Sequence, residues 1–258
     1  MSTQKSFDQL IEDALSIPFS GWDFSFLSDR WKTVNPNWDY PALARSRMQG
    51  ISSMLDQDTG GGEMLSSLSP FPPHIWATEN YPPNIPVAKD RLEPLGVQVI
   101  SDYTISSIPL PDSSLDLILN RHGGYDETEL LRLLRPGGAF LTQQVGGQNC
   151  IRLNELLQDK VEFMYSYWTK DVITRRLKDA GFKLLNVQED FPPAEFTDIG
   201  VVVFYLRVIS WQINNFSVEN YRDRLHTIHK DILAHGPLKA CEHRILVEAR
   251  KPIKGLRK

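Results

Sequence analysis

Cysteine is scarce in this chain: Cys150 and Cys241 are the two in 258 residues, and they lie far apart. That is too little for a disulfide framework, suggests no zinc site and fits a reducing compartment. The histidines His74, His226, His229, His235 and His243 show no metal-ligand spacing, so no metal is expected. Long apolar runs are missing too. The longest, Ile199 to Leu206, is far below the ~20 residues of a membrane-spanning helix, so no membrane partner is expected. The opening Met-Ser-Thr-Gln-Lys-Ser-Phe-Asp lacks the apolar core of a secretory signal, which leads us to expect a cytoplasmic protein. Repeats and low-complexity tracts are absent. Basic charge is not in excess: the formal net charge is −4. Bulk attraction to nucleic acid is therefore not favoured, and only a local basic patch could serve it. With 41% hydrophobic and 23% charged residues, the composition is that of a globular chain long enough for one large core.

The most informative stretch runs from Ile51 to Leu65. It reads as a strand ending at Asp56, a turn through Gly60, Gly61 and Gly62, and a helix opening at Glu63. Adjacent glycines permit positive φ and let a ligand approach the main chain. A helix start leaves N–H groups free to meet that ligand. His74 to Glu79 reads as a second strand, again closed by a carboxylate. Glu79 lies 23 residues after Asp56. In nucleotide-binding α/β folds, an acid about 20 residues past the glycine turn accepts hydrogen bonds from ribose hydroxyls.

Here the sequence resembles the class I S-adenosylmethionine-dependent methyltransferases. Asp56, Asp58, Gly60 and Gly62 fall on the register of their first motif, with Asp58 where the family more often has glycine. That position asks a non-glycine residue for an unusual φ/ψ, which Asp tolerates better than most. It also adds negative charge beside the cofactor's expected amino-acid end. Ile108-Pro109-Leu110-Pro111-Asp112-Ser113-Ser114-Leu115-Asp116-Leu117-Ile118 resembles the family's proline-stiffened run into the fourth strand, and Leu133-Leu134-Arg135-Pro136-Gly137-Gly138 its turn into the fifth. The resemblance implies a Rossmann-like three-layer α/β/α sandwich. Its mostly parallel seven-stranded sheet would have an antiparallel last strand, here His243 to Ala249. S-adenosyl-L-methionine is the implied cofactor. The implied contacts are Asp56, Asp58, Gly60, Gly62 and Glu79, with Asn80 bordering the adenosine and Asp102 or Tyr103 at adenine. Asn120 and Arg121 end the fourth strand, on the side where open parallel sheets bind ligands.

Residues 1–50 read as a helical, aromatic-rich arm covering the site, and 51–258 as the methyltransferase domain. Its substrate roof would lie at about 190–235. Helices are expected over 6–17, 40–49, 82–95, 127–134, 150–158, 169–180, 201–213 and 216–234, with a loop over 191–200. Trp22, Phe24, Trp168 and Phe196 are candidate substrate-lining residues. Most of the arm's aromatics read as packing. An aromatic rather than basic roof leans towards a small-molecule acceptor.

Methyl transfer from a sulfonium mainly needs positioning and exclusion of water. His122 is the candidate for removing a proton; it equally reads as a contact to the cofactor or the backbone. Three alternatives stand beside a small-molecule methyltransferase. One is an rRNA or tRNA base methyltransferase, and another a non-catalytic S-adenosylmethionine-binding module. The third, an NAD(P)-dependent oxidoreductase, fits less well: its third fingerprint glycine would fall at Leu65.

Overall fold

The computed structural model describes residues 5–19 and 24–253. Its strands, in chain order, are β1 Trp31–Thr33, β2 Ser53–Gln57, β3 His74–Thr78, β4 Gln98–Ile100, β5 Leu115–Arg121, β6 Leu134–Val145, β7 Lys183–Asp190, β8 Pro193–Phe196, β9 Leu238–Cys241 and β10 Arg244–Arg250. The α-helices are α1 Phe7–Ser16, α2 Tyr40–Met48, α3 Glu63–Ser66, α4 Ile85–Leu92, α5 Glu127–Leu133, α6 Ile151–Leu157, α7 Lys170–Ala180, α8 Ile199–Val208 and α9 Val218–His235.

Seven strands form one sheet in the order β4-β3-β2-β5-β6-β10-β7. Pairing is parallel from β4 across to β6, and β10 is antiparallel to both its neighbours. Successive side chains of a strand point to opposite faces, and the two faces bury separate cores. Met54, Leu117 and Leu141 pack with Ala44 and Met48 of α2 and Ala88 and Leu92 of α4. Leu55, Ile118 and Phe140 pack with Leu130 and Leu133 of α5 and Ile173 and Leu177 of α7. This is the expected three-layer sandwich with an antiparallel last strand. Strand order reverses beside β2, so the crevice outside the carboxyl ends of β2 and β5 is where such a sheet takes a ligand.

A second, antiparallel sheet of order β1-β8-β9 packs with α1, α6, α8 and α9 around a core of its own. Eight of the ten residues of α8 are buried. That accounts for the longest apolar run, since a helix apolar all round is a buried helix.

Three local readings change. The expected loop over 191–200 contains β8, paired on both sides by β1 and β9. Pro193 is tolerated because it opens the strand. The turn read at Arg135 to Gly138 belongs to β6, which starts directly after α5. The helix after the glycine turn is a single short turn of four residues. The Ser66 and Ser67 hydroxyls bond back to the carbonyls of Glu63 and Met64, serving acceptors that a longer helix would use.

Candidate functional site

Each strand of the parallel sheet delivers its last residues to the same edge, and the candidate residues gather there. Asp56, in the last turn of the pleat in β2, is 7% exposed. Burial pushes its carboxyl up to about 7, the Asp58 charge adds to the rise, and Thr59 and Arg121 oppose it. Gln57 beside it donates to the Gly124 carbonyl at 3.1 Å, while its Oε1 is buried with no donor among the described residues.

Asp58 takes the left-handed backbone, φ 56°, as its place in the glycine motif demands. Its N–H donates to Thr78 Oγ1 at 3.0 Å, and the Thr59 N–H donates to the Thr78 carbonyl at 2.9 Å. The turn after β2 is thus stitched to the end of β3. The Asp58 carboxylate accepts the Tyr103 hydroxyl, with the Gly124 amide also favouring its charged form. Burial raises its pKa all the same. Gly123 lies directly opposite: a Cβ there would stand 2.5 Å from Asp58 Cβ.

The remaining glycines have different work. Gly60 and Gly62 have φ of 65° and 79°. A Cβ on Gly62 would meet Leu92 Cγ of α4 at 2.7 Å, so this glycine faces helix packing rather than the crevice. Glu79 is buried just beyond β3 and accepts the Tyr81 N–H at 2.7 Å, with Asn84 and the Gly60 amide alongside. Burial raises its pKa. Asn80 and Asp102 are exposed. Tyr103, not Asp102, turns inward, and its phenol is raised by burial and by Asp58.

Across the crevice, Asn120 is fully buried and committed to the sheet. Its Oδ1 accepts Thr142 Oγ1 at 2.8 Å and Gln144 Nε2 at 2.7 Å. Arg121 ends β5 with an exposed side chain and acts through space on Asp56, Tyr40 and Glu242. His122 has positive φ, 66°, and its N–H donates to the Gln143 carbonyl at 2.8 Å. The residue as a whole is exposed, although many protein atoms surround it at the end of β5.

Trp38 Nε1 donates to Gln143 Oε1 at 2.8 Å, so the Gln143 amide nitrogen is the group 3.0 Å from His122 Nε2. That orientation makes Nε2 the acceptor and leaves the proton on Nδ1. Burial, Arg244 and Arg121 hold the imidazole pKa well below its usual value, so the ring is neutral near pH 7.

The aromatic candidates separate. Trp22 lies outside the described residues. Phe24 packs against Phe19 and Trp31, at ring distances of 5.4 and 5.8 Å. Phe196 has no accessible surface and packs between Trp31 and Tyr205, so it is a core side chain and not a lining one. Trp168 donates to Gln144 Oε1 at 3.2 Å beside the Asn120 network. Sequence reasoning missed Trp38, Tyr40, Thr78 and Gln143. Tyr40, 3% exposed, donates to the Asn120 carbonyl at 3.1 Å. The arm's density of aromatics was the available signal for Trp38 and Tyr40. The other two carried none.

No family model matches the sequence, and no curated protein matches it. Solved structures do. The chain is similar to a proposed methyltransferase from Bacillus halodurans C-125 (18% identity, TM-score 0.59, 83% of this chain and 99% of that one). It has the class I methyltransferase fold. The YcgJ protein from Bacillus subtilis shares it (20% identity, TM-score 0.55, 82% of this chain and 97% of that one). So does the [4+2]-cyclase SpnF (15% identity, TM-score 0.50, 83% of this chain and 80% of that one). The class I methyltransferase fold therefore carries more than one chemistry, and activity has to be argued from the site. Among the described residues no helix is long and apolar enough to cross a membrane, and no group of three or more acidic, His or Cys side chains could hold a metal ion.

Chemically, the crevice has two sides. Asp56, Asp58 and Glu79 offer carboxylate acceptors on the β2–β3 side. Arg121 and the neutral His122 offer donors at the end of β5.

Proposed function

We propose that the chain is an S-adenosylmethionine-dependent methyltransferase acting on a small-molecule acceptor. The observation that carries this reading is the pair of buried strand-end carboxylates, Asp56 and Glu79, flanking a left-handed turn at the point where strand order reverses. The donor set suits the cofactor. Glu79 and Asp56 supply acceptors for ribose hydroxyls and an ammonium group, and Arg121 supplies a donor for a carboxylate. The orphaned Gln57 Oε1 is a further acceptor at the same strand end.

S-adenosylmethionine, when bound, supplies an electrophilic methyl group. The chain's own residues have the other tasks. Asp56 and Glu79 would hold and orient the nucleoside amino acid. Arg121 would neutralise an anionic group. His122 has its Nε2 engaged by Gln143, so the Nδ1–H is the atom it offers a ligand, as a hydrogen-bond donor. Taking up a proton at Nε2 would first require release from Gln143.

A second reading has a specific observation in its favour. The Asp58–Tyr103 contact reaches across the space between the loops after β2 and β4, which fits a binding module without turnover. Calorimetric titration of the whole chain with S-adenosylmethionine, S-adenosylhomocysteine and NAD(H) tests both. Micromolar binding of the first two, with consumption of S-adenosylmethionine in the presence of a metabolite extract, is the expected result. Binding without consumption would favour the module, and binding of NAD(H) alone would overturn the proposal.

A further inference from the structure

We propose that Asp58 selects the charge of the nucleoside ligand, admitting one with a cation at this end of the crevice and disfavouring its neutral counterpart. This rests on the cofactor reading above and deepens it.

Three observations converge on Asp58. The first is its position. The residue belongs to the loop after β2, and its carboxylate meets Tyr103 from the segment after β4 and the Gly123–Gly124 backbone from the segment after β5. It therefore straddles the β2–β5 crevice rather than lining one wall. The second is its backbone. A non-glycine residue at φ 56° is costly, and glycine would relieve the cost. The opposite wall is cut to receive the side chain, because any Cβ at Gly123 would collide with it. Two neighbouring positions are thus matched to a carboxylate in the middle of the crevice.

The third observation is its electrostatic setting. Asp58 raises the pKa of both Asp56 and Glu79, so the three charges repel one another. Arg121 acts on Asp56. Among the described residues no Lys, Arg or His lies within ion-pair distance of Asp58, and the groups that favour its charge are a phenol and an amide. The Tyr103 hydroxyl is a neutral donor standing where a cationic donor would bind more strongly. A ligand cation that pairs with the Asp58 carboxylate takes the place of that hydroxyl. A sulfonium ligand with an ammonium tail is repaid by the carboxylate. A thioether of the same shape carries one positive charge fewer and is repaid less.

The test compares S-adenosylmethionine with S-adenosylhomocysteine on the full chain by calorimetry, using the natural sequence and the variants Asp58→Asn, Asp58→Gly and Tyr103→Phe. Ligand-free thermal melts verify that each variant folds. The natural chain is expected to bind the sulfonium at least about tenfold more tightly than the thioether, about 1.4 kcal/mol. Asp58→Asn should bring the two affinities within about threefold, and Asp58→Gly should do the same while strengthening thioether binding. Tyr103→Phe should tighten both ligands and keep their ratio. A ratio that is unchanged in Asp58→Asn, or a natural chain that binds both ligands equally, overturns the selection and leaves the cofactor reading standing. Failure of the natural chain and all three variants to bind either ligand overturns both.

Discussion

At the scale of single residues, the crevice is set by groups held away from their ordinary ionisation. Asp56 is the clearest case, because burial pushes its carboxyl from an ordinary 3.8 up to about 7. Between those values the folded chain keeps a proton that the unfolded chain has lost. Its share of the stability is therefore complete below about 3.8 and is lost as the pH climbs through about 7. Asp56→Asn removes that loss. Between pH 5 and pH 8 the variant should therefore gain on the natural chain by on the order of 2–3 kcal/mol. Asp58 and Glu79, also raised by burial, keep their own part of the slope in the variant. Thermal melts at the two pH values measure the difference; an equal gap at both would mean that Asp56 ionises normally. The same residue scale limits what a sequence can reveal. Asp58 was visibly out of pattern, and the left-handed backbone it demands is there. Its partner was not visible, because the contact to Tyr103 spans 45 positions of chain. His122 stood out as a strand-end histidine, yet its protonated nitrogen depends on Gln143 and Trp38, which come from β6 and from the segment before α2.

Elements decide where those residues stand, and two local devices show how. The proline-rich run before β5 cannot satisfy its own backbone, so α5 does it. Arg132 donates to the carbonyls of Leu110 at 2.8 Å and Ile108 at 2.9 Å, while Glu129 accepts the Ile108 N–H at 2.7 Å. The motif was legible as a stiff loop, but its anchor on the following helix was not. The glycine turn is the second device. Sequence alone suggests that a side chain at Gly62 would block a ligand, whereas the structure puts Leu92 of α4 against that face. Gly62→Ala should therefore destabilise the ligand-free chain by about 2–3 kcal/mol, from positive φ and overpacking together. Leu92→Ala on its own opens a cavity and should cost about 2–5 kcal/mol. Because the added methyl would occupy part of that cavity, the double variant should cost less than the sum. A double-mutant cycle by denaturant unfolding reads the difference. Strict additivity would show that Gly62 does not pack on Leu92.

At the scale of the whole molecule, the legible part of the fold was the part written in local pattern. Strands closed by carboxylates, a glycine turn and helices punctuated by proline and glycine mark β2 to β6 in order. The second sheet was illegible. Trp31 to Thr33 and Leu238 to Cys241 are too short and too mixed in polarity to signal strands, and they become strands because β8 lies between them. The arm shows the same dependence on tertiary context. Sequence suggested a cover over the site. In the structure Phe7, Ile11 and Ala14 of α1 are buried in the core shared with α8, and Arg207 of α8 donates to the Leu15 carbonyl at 2.6 Å. Removal of residues 1–17 separates the two roles. If α1 only covered the crevice, the truncated chain would keep its melting temperature and change only in ligand affinity. As a core element, α1 buries Phe7 and Ile11 at about 1.5–3 kcal/mol each, and its loss uncovers part of the apolar core it shares with α8. That sum is a large share of the 5–15 kcal/mol that holds a domain folded. The truncated chain should melt more than about 10 °C lower and self-associate on size-exclusion chromatography through the uncovered face. A monodisperse truncated chain with an unchanged melt would return α1 to the role of a cover.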